Sequence, residues 1–317
     1  MFTSHYKLIA LLIVGVLAVA TPLAQTPSTI EGTDRSVVTN TELVILNVRV
    51  TDAQSHAVVD VPRSNFKIFE DGVEQKIETF SKEQIPVTYG LVVDNSGSMR
   101  SQLSAVVKAG IRIVKSNQPE DDAFLVRFIS SDKIEVVQET ISDPNLLIQG
   151  LESLYVEGGA SAVIDAIYLA SDKIAKQRAN NTLRRQALVL VTDGEDRSSF
   201  YTSDQLFRLL ASTNIQIYSI GFIDYLKPKE RERATNLLTR LATDTGGRVF
   251  FPSSSTDLQH IADEIINDIR TQYVIAYAPA GTDPTKTFHK VVVSLADDAQ
   301  QQKRIAVTRL GYSTVKK

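Results

Sequence analysis

From Val87 onward, short unbroken apolar runs alternate with longer segments in which apolar residues recur every three or four positions. "VTYGLVV", "AFLVRFIS", "ALVLVTDG" and "IQIYSIGF" are of the first kind, and "KIEVVQET" and "RVFF" add two further β-prone runs. The long apolar runs lack the polar–apolar alternation of a half-exposed strand, so each predicts a strand buried on both faces. Residues 101–117 carry Leu103, Val106, Val107, Gly110 and Val114 at helical spacing, and "SAVIDAIYLASDKIAKQ" carries apolar residues at 163, 166, 167, 170 and 174. "PNLLIQGLESL", "SDQLFRLLAST" and "KERERATNLLTRLATDTGG" read as helices too. "STDLQHIADEIINDIR" places Leu258, Ile261, Ile265 and Ile269 on one helix side. Strands apolar on both faces require helices on both faces. Residues 86–270 therefore predict an α/β fold, a doubly wound and mostly parallel sheet of Rossmann-like type.

The flanks read differently. "TELVILNVRVTD" and "NFKIFEDGVEQKIETF" make residues 41–82 an N-terminal β segment, with Asp71-Gly72 as a two-residue hairpin turn. "QYVIAYAP", "FHKVVVSLA" and "KRIAVTRLGYS" make residues 271–317 a C-terminal β segment without a helix. Each segment is close to the size, about 40 residues, below which a chain rarely stands alone without a staple. The expectation is that the two pair into one β-sandwich, with the α/β block inserted between them.

The first residues point out of the cytoplasm. "MFTSHYK" precedes the 13-residue apolar run "LIALLIVGVLAVA", and small residues follow. The pattern is that of a signal peptide over residues 1–24, with cuts after Ala20 or Ala24, and residues 25–40 as a flexible lead-in. The run is short of the roughly 20 residues that span a bilayer, so no membrane span is expected after cleavage; the alternative is an uncleaved anchor. The expected location is the periplasm or the extracellular medium. The chain has no cysteine, which excludes disulfides, thiol catalysis and thiolate metal sites. A net charge of −3 with no basic stripe argues against a nucleic-acid partner.

In an open parallel sheet, ligands bind beyond the carboxyl ends of the strands. Three features fall there: Asp94, Ser96 and Ser98 in "DNSGSM"; "EGGAS", ending at Ser161; and Asp193 after "ALVLVT". Two carboxylates and three hydroxyls are hard oxygen donors, suited to Mg2+, Mn2+ or Ca2+. Two aspartates neutralise one divalent cation, and neutral hydroxyls leave it open to a further carboxylate. Asp-x-Ser-x-Ser alone would serve equally as a helix cap or a polar turn; it is the three features together that point to a site. Glu195 and Asp196 read as solvated loop charges, Glu157 as an exposed loop acid, and Asp165 as a structural hydrogen-bond acceptor. Asp224 in "IGFIDY" is ambiguous. The four histidines are scattered and form no ligand pair. No His or Glu base lies near the motif, and neither a Gly-x-Ser-x-Gly turn nor a phosphate-binding loop occurs, so an enzyme is not expected.

"DNSGS", the Gly-rich loop before a helix and "VTDG", in that order, resemble the metal-ion-dependent adhesion site of the von Willebrand factor type A family. The family pattern has "GGT" where this chain has "GGAS"; counting back from "DAI" puts Ser161 in the threonine place. The resemblance covers about residues 86–270. "FEDGVEQKIETF" before it, and "QYVIAYAP" and "RLGY" after it, resemble exported bacterial proteins related to the family. The resemblance implies a cation, Mg2+ first and Mn2+ or Ca2+ next, held by Asp94, Ser96, Ser98, Ser161 and Asp193. It implies an adhesion-type module that captures an Asp or Glu of a partner protein. The alternative is a scaffold or assembly protein of the cell envelope in which the metal is only structural. Related adhesion domains shift their last helix on ligand binding, and residues 256–270 occupy that place. Oligomeric state is not readable from the sequence.

Overall fold

The computed structural model describes residues 43–177, 183–281, 283, 285–296 and 303–314. The expected signal peptide and lead-in lie outside the described residues.

The central sheet is built from β5 (Val87–Asp94), β6 (Asp122–Ser130), β7 (Lys133–Ile141), β8 (Arg185–Thr192), β9 (Ile215–Gly221) and β10 (Arg248–Phe250). Their order across the sheet is β10-β9-β8-β5-β6-β7. All neighbours run parallel except β7, which returns antiparallel beside β6. β7 lies on the edge and is the one strand of the six with no buried residue.

Helices cover both faces, as the unbroken apolar strands require. Leu91 and Val93 of β5 face α1 (Leu103–Lys115), α2 (Pro144–Glu152) and α6 (Leu258–Arg270) through one apolar cluster that includes Val106, Leu147 and Ile261. Val92, between them in sequence, points the other way. It joins a cluster with Ile167 of α3 (Val163–Gln177), Leu206 of α4 (Ser203–Ala211) and Leu238 of α5 (Pro228–Thr245). Period-two alternation along a strand thus sends successive residues into two separate cores.

The chain ends form two four-stranded antiparallel sheets, each drawing strands from both ends. From the N-terminal side come β1 (Val44–Thr51), β2 (Phe66–Glu70), β3 (Val73–Gln75) and β4 (Ile77–Ser81). From the C-terminal side come β11 (Tyr273–Tyr277), β12 (Phe288–Leu295), β13 (Ile305–Val307) and β14 (Gly311–Ser313). The orders are β13-β1-β11-β4 and β14-β12-β2-β3. One core joins the two sheets, with Leu46, Val48, Ile68, Tyr273, Ile275 and Val291 among its members. The β2–β3 turn is Asp71-Gly72, with φ of +49° and +87°. That double left-handed turn matches the twist of a hairpin and favours glycine at its second position.

The last β run departs from expectation. "KRIAVTRLGYS" reads as a single strand, but β13 and β14 belong to different sheets. The break has a cause in residues 308–310. Thr308 donates its hydroxyl to Asn47 O, Arg309 donates to Ile45 O and Thr213 O, and the Leu310 N–H bonds to Asp244 O. The bonds to Thr213 and Asp244 fasten the chain to the α/β block between the two strands.

Candidate functional site

Parallel pairing sets the site. β5 and β8 are in register with Val93 beside Val191, so Asp94 emerges next to Thr192, and Asp193 follows at once. Both carboxylates leave the sheet at the same edge, on the C-terminal ends of adjacent strands, and both are buried.

Asp94 Oδ1 accepts the Ser96 N–H at 2.9 Å, an Asx turn that folds the chain back. Its Oδ2 accepts the hydroxyls of Thr192 at 2.7 Å and Ser161 at 3.1 Å. Ser96 and Ser98, at alternate positions, bring their hydroxyl oxygens within 3.0 Å of each other. Asp193 Oδ1 accepts the Glu195 N–H at 3.0 Å, a second Asx turn beside the first. The structure therefore links Asp94, Ser96, Ser98 and Ser161 by hydrogen bonds and sets Asp193 beside them at the same sheet edge. Four of the five are buried; Ser98 is exposed and marks the way in.

Three loops carry these groups, and each is tied to its neighbour. The Asn95 N–H bonds to Phe128 O at 2.8 Å, its side-chain Nδ2 to Tyr155 O at 2.8 Å, and the Glu157 N–H to Asn95 O at 2.9 Å. Ser161 O accepts the Arg197 N–H at 2.8 Å, and the Ser198 hydroxyl bonds to Ala160 O. The glycine-rich loop must pass close to β6: a Cβ on Gly159 would sit 2.4 Å from Ile129 Cγ2.

Burial pushes the Asp94 carboxyl above the ordinary carboxylate range, against the hydrogen bonds from Ser96 and Thr192; the nearby Asp193 adds to the rise. Burial also raises Asp193, opposed by the Ser98 hydroxyl and by Arg197. Tyr225 is raised by burial and by the Asp193 charge. Two buried acids thus face one another, and the hydrogen-bond partners of Asp94 are an N–H and hydroxyls, with no ammonium or guanidinium among them. A donor set of this kind fits a divalent cation, which would supply the missing positive charge. Among the described residues no three His, Cys, Asp or Glu side chains gather as a metal cluster.

Asp165 accepts the Ser131 hydroxyl and the N–H groups of Phe200 and Tyr201, the structural role expected of it. Glu157 is half-buried and pairs with Lys133. Glu195, expected to be a solvated loop charge, is buried and pairs with Arg197. Asp196 is exposed, yet it accepts the Ile164 N–H at 3.1 Å and so caps the start of α3. His260 is exposed beside Glu264, and His289 is buried between Glu70 and Asp71 in the β-sandwich. Neither histidine is part of the cluster. One member escapes sequence reasoning: Thr192, which precedes Asp193 and donates its hydroxyl to Asp94. Its place at a strand's carboxyl end is readable, but its meeting with Asp94 is set by strand register.

The model of the family described as von Willebrand factor type A domain matches residues 90–264. An uncharacterized protein of Synechocystis sp. is 25% identical over 146 residues, 45% of this chain and 33% of that protein. The chain thus spans about a third of the length of this curated relative. Among solved structures, the aerotolerance-related membrane protein of Bacteroides fragilis is 18% identical, with 57% of this chain and 98% of that chain covered and a TM-score of 0.45. The von Willebrand factor type A protein of Catenulispora acidiphila is 13% identical over 87% of this chain and 75% of that one, also at a TM-score of 0.45. The von Willebrand factor domain of the type V pili tip protein from Porphyromonas gingivalis is 14% identical, covering 59% and 96%, at a TM-score of 0.44.

Proposed function

The chain belongs to the von Willebrand factor type A family, and from that premise we propose that it is an exported, divalent-cation-dependent protein-binding module. The observation that carries the reading is the pair of buried acids, Asp94 and Asp193, set among serine hydroxyls at one sheet edge. Asp94, Ser96, Ser98, Ser161 and Asp193 would hold Mg2+, with Mn2+ or Ca2+ as substitutes. The bound cation would offer an open position to an Asp or Glu side chain of a partner protein. The chain's own part is to keep the loops fixed, to bury four donors and to leave the Ser98 side accessible. We assign no catalytic role to the cluster. Export is proposed from the apolar run at residues 8–20. No helix among the described residues is long and apolar enough to cross a membrane.

Titration calorimetry of Mg2+ and Mn2+ into the metal-stripped protein tests this reading. Saturable binding in the parent that is absent from Asp94→Ala supports it; no binding in the parent refutes it.

One observation favours a second reading. Both oxygens of Asp94 already have donors within the protein, so the loops hold their shape by hydrogen bonds alone. In that reading the protein is an envelope scaffold that binds partners through other surfaces. Partner binding that survives EDTA would select it.

A further inference from the structure

Asn95 stands between Asp94 and Ser96 but bonds to other partners. Asp94 and Ser96 meet Thr192, Ser161 and Ser98. Asn95 meets β6 and the loop ahead of α3: its N–H bonds to Phe128 O at 2.8 Å, its Nδ2 donates to Tyr155 O at 2.8 Å, and its carbonyl accepts the Glu157 N–H at 2.9 Å. The side chain is fully buried, yet Oδ1 has no hydrogen-bond partner. An unpaired buried oxygen costs stability, so the amide is placed here for what it donates. Tyr155, which takes that bond, is fastened through its side chain although it is 53% exposed. The buried Arg127 of β6 donates to the Tyr155 hydroxyl at 2.6 Å, and its guanidinium carbon lies 4.1 Å from the centre of the ring. Glu135 of β7 holds Arg127 in turn, at 2.9 Å.

Ser161 follows Glu157 after Gly158, Gly159 and Ala160, none of which has a side chain that can hydrogen-bond. The near end of this stretch is bound by Asn95 and the far end by Arg197 and Ser198. We infer that Asn95 is a positioning residue of the cation site: its amide and its main chain clamp the segment from Tyr155 to Glu157 against the turn that carries Asp94 and Ser96, so that the glycine-rich loop delivers the Ser161 hydroxyl to the cation. Tyr155 and Arg127 act through the same clamp. Outer partners that orient a metal's donors are worth about 10–100-fold in affinity. The inference rests on the metal reading above and adds to it a residue that the Asp-x-Ser-x-Ser pattern leaves unspecified.

The test is Mn2+ calorimetry on the metal-stripped parent protein, Asn95→Ala, Tyr155→Leu and the double variant, none of which loses a proposed cation donor. Asn95→Ala should raise the Kd about tenfold or more. Tyr155→Leu should raise it by less, since its carbonyl remains. The double variant should bind no more weakly than Asn95→Ala, because both changes release one clamp. Amide exchange in the metal-free variants should quicken at residues 156–161 and not through the rest of the chain. The exposure of Tyr155 lets Tyr155→Leu keep the fold, and it carries the test if Asn95→Ala does not fold. A folded variant that binds Mn2+ as tightly as the parent overturns this inference alone. So do losses that simply add in the double variant, and a loss of affinity without quicker exchange at 156–161. Quicker exchange throughout the chain assigns the residues to the fold and also overturns it. A parent without saturable binding overturns this inference and the metal reading together.

Discussion

Asp94 is a buried acid whose folded-state proton affinity is raised, and that has a measurable sign. Between the ordinary carboxyl value of 3.8 and the raised folded value, the folded protein binds more protons than the unfolded chain. Stability from this group is therefore present at acid pH and falls as pH rises through that window. Asparagine does not ionise. In EDTA, the melting temperature of Asp94→Asn should gain on that of the parent as pH goes from about 4 to about 7. With Mg2+ present the parent should overtake the variant, because only the parent keeps the charge that draws the cation. The sequence is most informative where the chemistry is local. Asp94, Ser96 and Ser98 are written in one strand-end motif, and Asp193 ends another apolar run. Ser161 needs a count back from a helix, and the structure places its hydroxyl 3.1 Å from Asp94. The part of Thr192 was not legible, because its meeting with Asp94 is defined by strand register. The burial of Glu195 escaped for a related reason: nothing in "GEDRSS" says that Arg197 folds back over it.

The loops and the last helix set what a bound cation would move. Gly159 is packed against Ile129, a branched residue with little room to give. Gly159→Ala should push the loop outward and carry Ser161 away from Asp94. The expected outcome is a cation affinity lowered several-fold in calorimetry, with a melting temperature close to that of the parent. The helix α6 has the apolar side expected of it. Its last turn is bound on several sides here. Asp268 pairs with Arg49 at 2.9 Å and with Arg248, Arg270 pairs with Asp121, and the buried Arg185 donates to Ile269 O and Gln272 O. Hydrogen exchange on adding Mn2+ should therefore slow at residues 95–101 and 157–161 and stay unchanged at 265–270. Arg185→Met leaves two buried carbonyls without that donor, a loss of about 1–3 kcal/mol for each unsatisfied group. It should lower the melting temperature and free the last turn of α6 to exchange. Helix faces and strand runs were readable because period sets burial. The staples made by Arg49, Arg185 and Arg270 were not, since each links residues 84 or more apart in sequence.

At the scale of the whole molecule, the described residues form one α/β block inserted in sequence between two halves of a β-sandwich. The sandwich core takes Leu46 and Ile68 from one end of the chain and Tyr273 and Ile275 from the other, so neither end buries its apolar residues alone. Expressed alone, residues 43–82 should be unfolded by circular dichroism, while residues 86–270, which own two separate cores, should fold. If residues 43–82 fold alone, the shared core is not what holds them. The β content of both ends was legible from their runs. The split of the last run into β13 and β14 was not, because it depends on Arg309 and Leu310 bonding to Thr213 and Asp244 of the inserted block.

Whether Asp94, Ser96, Ser98, Ser161 and Asp193 together hold a divalent cation is decided by anomalous diffraction from crystals grown with Mn2+. A strong manganese peak is expected among these five side chains, and none in crystals of Asp94→Ala. Ordered density for the five side chains with no peak among them, in crystals where Mn2+ is found elsewhere or nowhere, would refute the cation site.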